Sequence, residues 1–268
     1  MTDAEPLASA LGDDSDGPGE VVQAFVRGLA VIRAFDADNP ELTLSDVARR
    51  AGVTRAAAGR FLRTLQSLGY VRNDGRSFAL TPRVLELGYS YLSALSLPEV
   101  AQPHLEALSR AVGESASAAV LDGAEIVYVA RVPVRRIMSV GITVGTRFPA
   151  AITSMGRVLL AAASAPERDR ILDATKLDAR TPRTLTDPAA VRQELERVRA
   201  QGWARVDGEL EPGLQSLAAP VHGREGAVVA AINLSMATGR YPEAEVTDRL
   251  IPALLAAARA IEADLRTP

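Results

Sequence analysis

Residues 43–68 constrain the fold of this chain most, because start and stop signals for two short helices follow one another there. Thr43 and Asp46 have the S/T-x-x-D spacing that caps the start of a helix. Gly52 then supplies a tight turn, and Thr54 is a favourable N-cap for the next helix. The stretch therefore predicts two helices joined by a turn too short to separate them.

The flanking segments complete a larger unit. Before it, a set of apolar side chains recurs at helical spacing and predicts a first helix; these are Val22, Phe25, Val26, Leu29, Ile32 and Phe35. After it, Gly69 ends the third helix. Residues 73–75, Asn-Asp-Gly, give a strong hairpin signal. Three helices followed by a basic hairpin predict a winged helix-turn-helix domain over 21–81.

The third helix has two contrasting faces at 100° per residue. Its expected core side consists of Ala58, Phe61, Leu65 and Leu68, with Leu62 at the edge. Its expected outward side consists of Ala56, Gly59, Arg60, Arg63 and Ser67, with Arg55 flanking. Small residues would let base edges approach, and arginines would hold guanine or phosphate. The predicted DNA-contacting residues are Thr54, Arg55, Ala56, Gly59, Arg60 and Arg63, with Arg72 and Arg76 on the hairpin.

The charge distribution favours DNA binding over the alternative, a solvated amphipathic helix pair. The net charge is −3, but residues 1–20 hold six acids and no base, whereas residues 21–95 hold ten arginines against six acids. The second segment is therefore +4, and no acid occurs between Asp46 and Asp74. A local basic face next to a hairpin is the electrostatic pattern of a nucleic-acid reader.

The rest of the chain reads as a tail, a connector and a sensor-sized domain. Residues 1–20 have the composition of a disordered acidic tail. Residues 82–97 read as a linker helix opened by Pro82. From 98 to 268, strand and helix signals alternate, which makes the fold class α+β. The strands include a hairpin around Asp122-Gly123, and a long final helix ends the chain.

The residue types present argue against catalysis. The chain has no cysteine and two histidines, His104 and His222, which we interpret as helix-surface and turn residues. Three acids at 207–211 could suggest the paired carboxylates of a hydrolase, but no nucleophile or metal set accompanies them. We therefore expect no enzyme activity, no cofactor and no metal. We also expect a cytoplasmic protein, because a signal peptide and a membrane-spanning segment are both absent from the sequence.

Three stretches of the sequence resemble a known protein family. Residues 25–71, "FVRGLAVIRAFDADNPELTLSDVARRAGVTRAAAGRFLRTLQSLGYV", resemble the N-terminal domain of IclR-type bacterial transcriptional regulators. So do "GTRFPAAITSMGRVLLA" at 145–161 and "DGELEPGLQSLAAPV" at 207–221, both in the C-terminal half. The resemblance covers about 21–265 and implies a GAF/profilin-like effector-binding domain. The block at 128–161 is most similar to regulators of the β-ketoadipate pathway, which respond to protocatechuate, β-ketoadipate or 4-hydroxybenzoate.

The resemblance implies a ligand site in a cup near the helix that starts at 153. Its residues, carried over one by one, are Ser154, Met155, Asp207, Leu214, Ser216, Asn233 and Ser235. We add Arg131, because a carboxylate effector needs charge compensation, although a surface or intersubunit salt bridge is an equal alternative for it. We interpret Arg135 and Arg136 as members of surface or intersubunit salt bridges and Arg157 as a brace for its own helix. Arg147 lies beside the glycine-bearing loop that we expect before the helix at 153–163, while Tyr128 and Trp203 are expected core residues first and platforms for an aromatic ligand second.

The sequence as a whole indicates a ligand-responsive transcription factor. Its expected partners are a double-stranded DNA operator and a small aromatic or aliphatic carboxylic acid, and the resemblance implies that the chain forms a homodimer or a tetramer. RNA polymerase is a further expected partner if the protein is an activator. Three alternatives stay open: a regulator of another pathway (glyoxylate, a sugar acid or another organic acid), a hydrolase or transferase, and an interaction scaffold without a ligand.

Overall fold

The computed structural model describes residues 21–87, 97–134 and 141–266 and divides the chain into two compact units, Met1–Ser93 and Ala94–Pro268. The predicted tail at 1–20 lies outside the described residues, as do 88–96 of the predicted linker helix and both Arg135 and Arg136. The described start of the linker is a 3₁₀ turn at Pro82–Val84, which Thr81 caps.

The first unit is the predicted set of three helices and a hairpin. Its elements are α1 (Gln23–Arg33), α2 (Leu44–Arg50), α3 (Arg55–Ser67), β1 (Glu41–Leu42), β2 (Val71–Asn73) and β3 (Phe78–Leu80). The Thr43 side chain accepts a hydrogen bond from the Asp46 N–H, as the capping pattern predicts. The three strands pair antiparallel in the order β1-β3-β2. Strand β1 was not predicted, because two residues are too few to show a period of two.

Fewer apolar side chains are buried in the core of this unit than the sequence pattern predicts. Val31, Val47, Ala58 and Leu62 are fully buried in it. The first helix forms as predicted, but part of its apolar pattern faces solvent: Phe25 is 67% exposed. Apolar periodicity locates a helix but does not show that every apolar side chain has a neighbour.

The second unit is a six-stranded antiparallel sheet with helices on both faces. Its elements are α4 (Leu97–Val112), β4 (Ser115–Asp122), β5 (Glu125–Val132), β6 (Arg147–Pro149), a 3₁₀ turn (Ala150–Ile152), α5 (Ser154–Ala162), α6 (Ala165–Ala174), α7 (Pro188–Gln201), β7 (Ala204–Asp207), β8 (Leu214–His222), β9 (Val228–Ala237) and α8 (Ile251–Arg266). The strand order is β6-β5-β4-β9-β8-β7. The α+β prediction is confirmed.

Alternating residues of the sheet belong to two separate cores. On strand β4, Ala116 and Ala118 pack with helices α4 and α8 on one face. Ala119 packs with helices α5 and α7 on the other face. Helix α5 therefore lies on the face of the sheet opposite to α4 and α8.

Three details differ from the predictions in this unit. The glycine-bearing loop before 153 contains a strand, β6, which pairs with β5. The final helical segment is interrupted, since a π-helical turn at Val246–Leu250 precedes α8. His222 ends strand β8 rather than lying in a turn, and Glu262 Oε1 contacts its Nδ1 at 2.6 Å. Turn propensity alone cannot register such a contact between residues forty positions apart.

Candidate DNA-binding surface and effector cavity

Helix α3 presents a positively charged surface at its first two turns. Thr54 caps the helix by accepting a hydrogen bond from the Ala57 N–H at 3.2 Å. Ala56, Arg60 and Arg63 are exposed, as the helical wheel predicts. Among the described residues, the guanidinium groups of Arg60 and Arg63 have no carboxylate partner, so their charges are available to an external anion.

Gly59 does not belong to this exposed surface, and its predicted outward orientation is wrong. The residue is buried, and a Cβ there would lie 3.8 Å from Leu44 Cδ1 of helix α2. A Cβ would make only ordinary contacts there, so it is the burial of Gly59, and not a steric need for glycine, that removes it from the exposed surface. Leu68, expected in the core, is 51% exposed, whereas Leu62, expected at the edge of the core, is fully buried. The buried side of the helix is therefore rotated towards Gly59 and Leu62 relative to the prediction.

The remaining predicted DNA contacts already have neighbours within the unit. Arg55 Nη1 donates to Ser45 Oγ at 2.7 Å, which joins the starts of α2 and α3. Arg72 Nη2 pairs with Glu41 Oε1 at 2.7 Å. That carboxylate lies on β1, the unpredicted strand, and partly neutralises the hairpin. Arg76 is exposed at the hairpin turn, where its backbone N–H donates to Asp74 Oδ1.

The second unit contains a cavity of about 1070 Å³ between the sheet and helix α5. Its volume is at the upper end of the range of small-molecule sites. Seven of the eight predicted effector residues line it: Arg131, Ser154, Met155, Leu214, Ser216, Asn233 and Ser235. The further lining residues include Tyr128, Ile142, Ile152, Thr153, Leu210 and Pro212. The wall is thus apolar with a few polar side chains.

The polar part of the wall is a consequence of strand register. Ser117 on β4 pairs with Arg131 on one side and with Asn233 on the other. Two residues further along β9, Ser235 pairs with Ser115 of β4 on one side and with Ser216 of β8 on the other. Side chains two apart share a face of a sheet, so these residues form two adjacent polar rows. The sequence analysis did not predict that Ser115 lines the cavity. The available signal was that polar residues stand two apart on both paired strands, at 115 and 117 and at 233 and 235.

Helix α5 brings its first turn to the cavity by close packing. Thr153 caps the helix, and its Oγ1 accepts from the Gly156 N–H at 3.2 Å. Gly156 lies against the backbone of Ala150, so Ser154 and Met155 are held at the cavity wall. A helix N-terminus presents backbone N–H groups and partial positive charge, which favour an anion.

Arg131 and Tyr128 provide the strongest polar groups of the cavity. Arg131 Nη1 donates to Ser117 Oγ at 3.3 Å, while its Nε has no partner among the described residues. Burial lowers the pKa of Arg131, which Tyr128 partly offsets. Burial also raises the pKa of Tyr128 to about 12, although Arg131 opposes that rise. A neutral phenol and a guanidinium whose Nε has no partner among the described residues therefore line the same cavity.

Two acids contribute to the cavity wall without cancelling Arg131. Glu114 is 1% exposed, and its Oε1 is engaged by Arg240 Nε at 2.5 Å and by the Tyr241 hydroxyl at 2.9 Å. Glu211 is exposed on the loop between β7 and β8. Arg240 compensates the charge of Glu114, and solvent screens that of Glu211. Among the described lining residues, Arg131 is the one that carries a positive charge.

Asp207 is the one predicted effector residue that does not line the cavity. Its carboxylate accepts from Arg183 Nη1 at 2.5 Å and from Thr238 Oγ1 at 2.6 Å. The nearby Glu209 is buried and pairs with Arg157, whereas Glu211 lines the cavity. The three acids at 207–211 therefore have different neighbours and do not form one site. Within the described residues, no group of three His, Asp or Glu side chains could hold a metal ion.

Two further predicted roles can be placed. Arg147 Nη2 and Nε pair with Asp122 and Glu125, both at 2.7 Å, so its charge is used at the sheet edge. Arg157 does brace its own helix start, because its Nε donates to Ala151 O at 2.9 Å.

No helix in the described part of the chain is long and apolar enough to cross a membrane.

A three-helix unit with a hairpin wing, joined to a sheet with a polar-lined cavity, defines a DNA-binding regulator with a sensor domain. Comparison with known families agrees. The IclR helix-turn-helix domain matches residues 24–75, and the bacterial transcriptional regulator IclR C-terminal domain matches 89–263. The chain belongs to the IclR family of bacterial transcriptional regulators.

Individual relatives narrow the comparison. The Pca regulon regulatory protein of Pseudomonas putida is 45% identical over 244 residues, which cover 91% of this chain and 84% of that protein. A protein of Rhodococcus sp. RHA1 has a crystal structure similar to this one, with 56% identity, a TM-score of 0.84 and coverage of 92% and 99%. An IclR homolog from Microbacterium hydrocarbonoxydans, complexed with 4-hydroxybenzoate, gives 29% identity, a TM-score of 0.83 and coverage of 91% and 100%.

Proposed function

We propose that this regulator controls aromatic acid catabolism and that its cavity binds a small carboxylic acid as effector. The observation that carries the proposal is Arg131, a guanidinium in the cavity wall whose Nε lacks a partner among the described residues. A partly buried guanidinium of this kind is stabilised when an anion pairs with it. The Tyr128 hydroxyl and the first turn of α5 lie in the same wall and would add donors.

The rest of the wall suits an aromatic acid that carries a hydroxyl group. Ile142, Ile152 and Met155 offer apolar contacts for a ring. Ser216 and Ser235 offer hydroxyls that either donate or accept. Two of the relatives support this class: the name of the Pseudomonas putida protein refers to the Pca regulon, and the Microbacterium homolog holds 4-hydroxybenzoate. A β-ketoadipate-like dicarboxylate is the second candidate, since Arg131 would serve it equally.

The DNA-binding half of the proposal rests on helix α3. A homodimer would place two copies of α3 in successive major grooves of a pseudo-palindrome, about 34 Å apart. Arg60 and Arg63 would contact guanine or phosphate, with Ala56 against a base. Effector binding would change operator affinity through the 82–97 segment. The protein would act in the cytoplasm, without catalysis or a cofactor.

The effector is tested by thermal shift and calorimetry with 4-hydroxybenzoate, protocatechuate and β-ketoadipate, with phenol as a ligand that lacks the carboxylate. One of the three acids should bind, and phenol should not. Arg131→Gln should weaken that acid at least tenfold, because a charge-assisted hydrogen bond is lost. Arg147→Gln, on the neighbouring strand and outside the cavity, is the matched control. Equal affinity of the Arg131→Gln protein and the wild type would rule out this cavity arrangement.

A further inference from the structure

The side chain of Arg157 is the largest among the fully buried ones of the described chain, and it is only 2% exposed. It lies on helix α5, whose other buried side chains, apart from Ser154, are apolar. Its Nη2 donates to Glu209 Oε2 at 2.7 Å, and its Nη1 lies 3.9 Å from Glu194 Oε1. A buried ion pair is rarely more stable than a well-packed apolar pair of similar volume. The presence of this one therefore calls for a reason other than stability.

Glu209 belongs to a segment that we call the cavity loop, residues 208–213 between β7 and β8. Four of its six residues line the cavity: Leu210, Glu211, Pro212 and Gly213. The loop has no regular secondary structure, and its backbone bonds are few, such as Gly208 N–H to Leu214 O at 2.7 Å. It therefore depends on side chains for its position.

Glu209 supplies most of that anchoring. Besides Arg157, its Oε2 accepts from the Leu185 N–H at 3.0 Å, and its backbone oxygen accepts from Thr184 Oγ1 at 2.7 Å. Thr181 Oγ1 donates to Gly208 O at 2.6 Å. The carboxylate thus joins the cavity loop to two other segments at a single point.

Arg157 connects that point to the opposite wall of the cavity. Its Nε holds Ala151 O, next to Ile152 of the 3₁₀ turn, and its helix begins with Ser154 and Met155. All three of these residues line the cavity. One guanidinium therefore contacts the supports of two walls, the start of α5 and the cavity loop.

We propose that Arg157 and Glu209 are positioning residues: their ion pair fixes the cavity loop against helix α5 and so determines the shape of the effector site. The loop position follows from the geometry alone, whereas the effect on ligand affinity rests on the proposed function. An apolar pair could fill the same volume but could not reproduce bonds directed at Ala151 O and the Leu185 N–H.

The test separates position from stability by removing both charges. Arg157→Met alone leaves Glu209 buried without compensation and should lower the melting temperature. The double variant Arg157→Met/Glu209→Met should recover it to within a few degrees of the wild type. Hydrogen exchange of the full chain should nevertheless show the hydrogen-bonded amides of Gly208 and Leu214, at the two ends of the loop, exchanging at least tenfold faster in the double variant, with strands β4 and β9 unchanged. Arg192→Met, which removes an exposed ion pair with Asp169 and Asp173, is the control.

Wild-type exchange rates of the Gly208 and Leu214 amides in the double variant would overturn the proposal. If the double variant does not fold, Glu209→Gln decides, because its amide keeps the shape while weakening the charge-assisted bond; it should raise exchange severalfold in the loop alone. With 4-hydroxybenzoate, the double variant should bind at least tenfold more weakly than the wild type. If the wild type binds none of the three acids, the proposed function is wrong. The exchange rates would still show whether the Arg157–Glu209 ion pair fixes the position of the cavity loop.

Discussion

The backbone of Gly156 lies directly against that of Ala150: a Cβ added to Gly156 would be 2.1 Å from the Ala150 carbonyl oxygen and 2.3 Å from its Cα. No side chain can occupy that position without moving either helix α5 or the 3₁₀ turn before it. Because Ser154, Met155 and Ile152 all line the cavity, this contact sets the geometry of its α5 wall.

Gly156→Ala should therefore reduce both stability and effector affinity. Overpacking costs about 1–3 kcal/mol or more, and for a domain of this size each kcal/mol lowers the melting temperature by roughly 2–4 °C. Calorimetry with the acid that binds the wild type should show at least a tenfold weaker complex. Gly28→Ala is the control, since its Cβ would make ordinary contacts of 3.7 Å with Phe61. A Gly156→Ala protein with wild-type melting and affinity would contradict the close contact.

Arg60→Ala and Arg63→Ala should each weaken operator binding, because their guanidinium groups are exposed and have no carboxylate partner among the described residues. The expected loss is roughly 1–3 kcal/mol for a base contact. A phosphate contact would instead lower the salt slope by about 1 per contact, equally for all sequences. The measurement is a salt series of gel shifts on DNA selected by the wild type from a random pool.

The control for these two variants is Arg259→Ala, an exposed arginine of helix α8 in the other unit. It should bind DNA as the wild type does. Unchanged DNA affinity in both Arg60→Ala and Arg63→Ala would remove helix α3 from the interface. Effector affinity should be the same in all three proteins.

Tyr128→Phe should change how stability depends on alkaline pH. Burial raises the pKa of Tyr128 to about 12, above the ordinary value of 10.0 that applies when the chain is unfolded. The neutral phenol therefore contributes its full stability below pH 10, and that contribution is lost between pH 10 and 12. The loss is about 1.4 kcal/mol per pH unit in this window. Urea unfolding at pH 9 and 11 should show a shallower fall for Tyr128→Phe; parallel falls would show that the phenol is not buried as described.

Ser154→Trp should abolish the effector response while DNA binding persists. Ser154 is 1% exposed and lies at the cavity wall, so an indole there would fill space that the ligand needs. Ser154→Ala is the control for loss of the hydroxyl alone. Gel shifts with and without the acid, on protein whose folding is verified by circular dichroism, provide the measurement. A Ser154→Trp protein that responds normally would place the effector elsewhere.

Local signals in the sequence were sufficient for the DNA-binding unit. The caps at Thr43 and Thr54 and the hairpin at 73–75 depend on neighbours within a few residues, and all three form as predicted. The orientation of α3 was only partly predictable. A helical wheel gives the angles between side chains but not the direction of the neighbouring helix, so Gly59 was placed outside although Leu44 covers it.

The cavity depends on contacts between distant residues, which single-sequence patterns do not contain. Ser117 and Asn233 are 116 positions apart, yet their strands pair in register. The family resemblance supplied six of the residues that line the cavity, but it did not show that Asp207 faces Arg183 and Thr238 instead of the cavity. Tyr128 was expected in the core first and at a ligand second; it is 4% exposed and also lines the cavity.

The central claim is that an acid bound at Arg131 changes the affinity of this protein for DNA. It is tested most directly by measuring operator affinity of the full chain with and without 4-hydroxybenzoate, protocatechuate and β-ketoadipate, for the wild type and for Arg131→Gln. We predict that one acid changes the wild-type affinity by about 5- to 150-fold and leaves Arg131→Gln, still bound to DNA, unaffected. An Arg131→Gln protein that responds like the wild type, or a wild type that responds to none of these acids, would contradict the account.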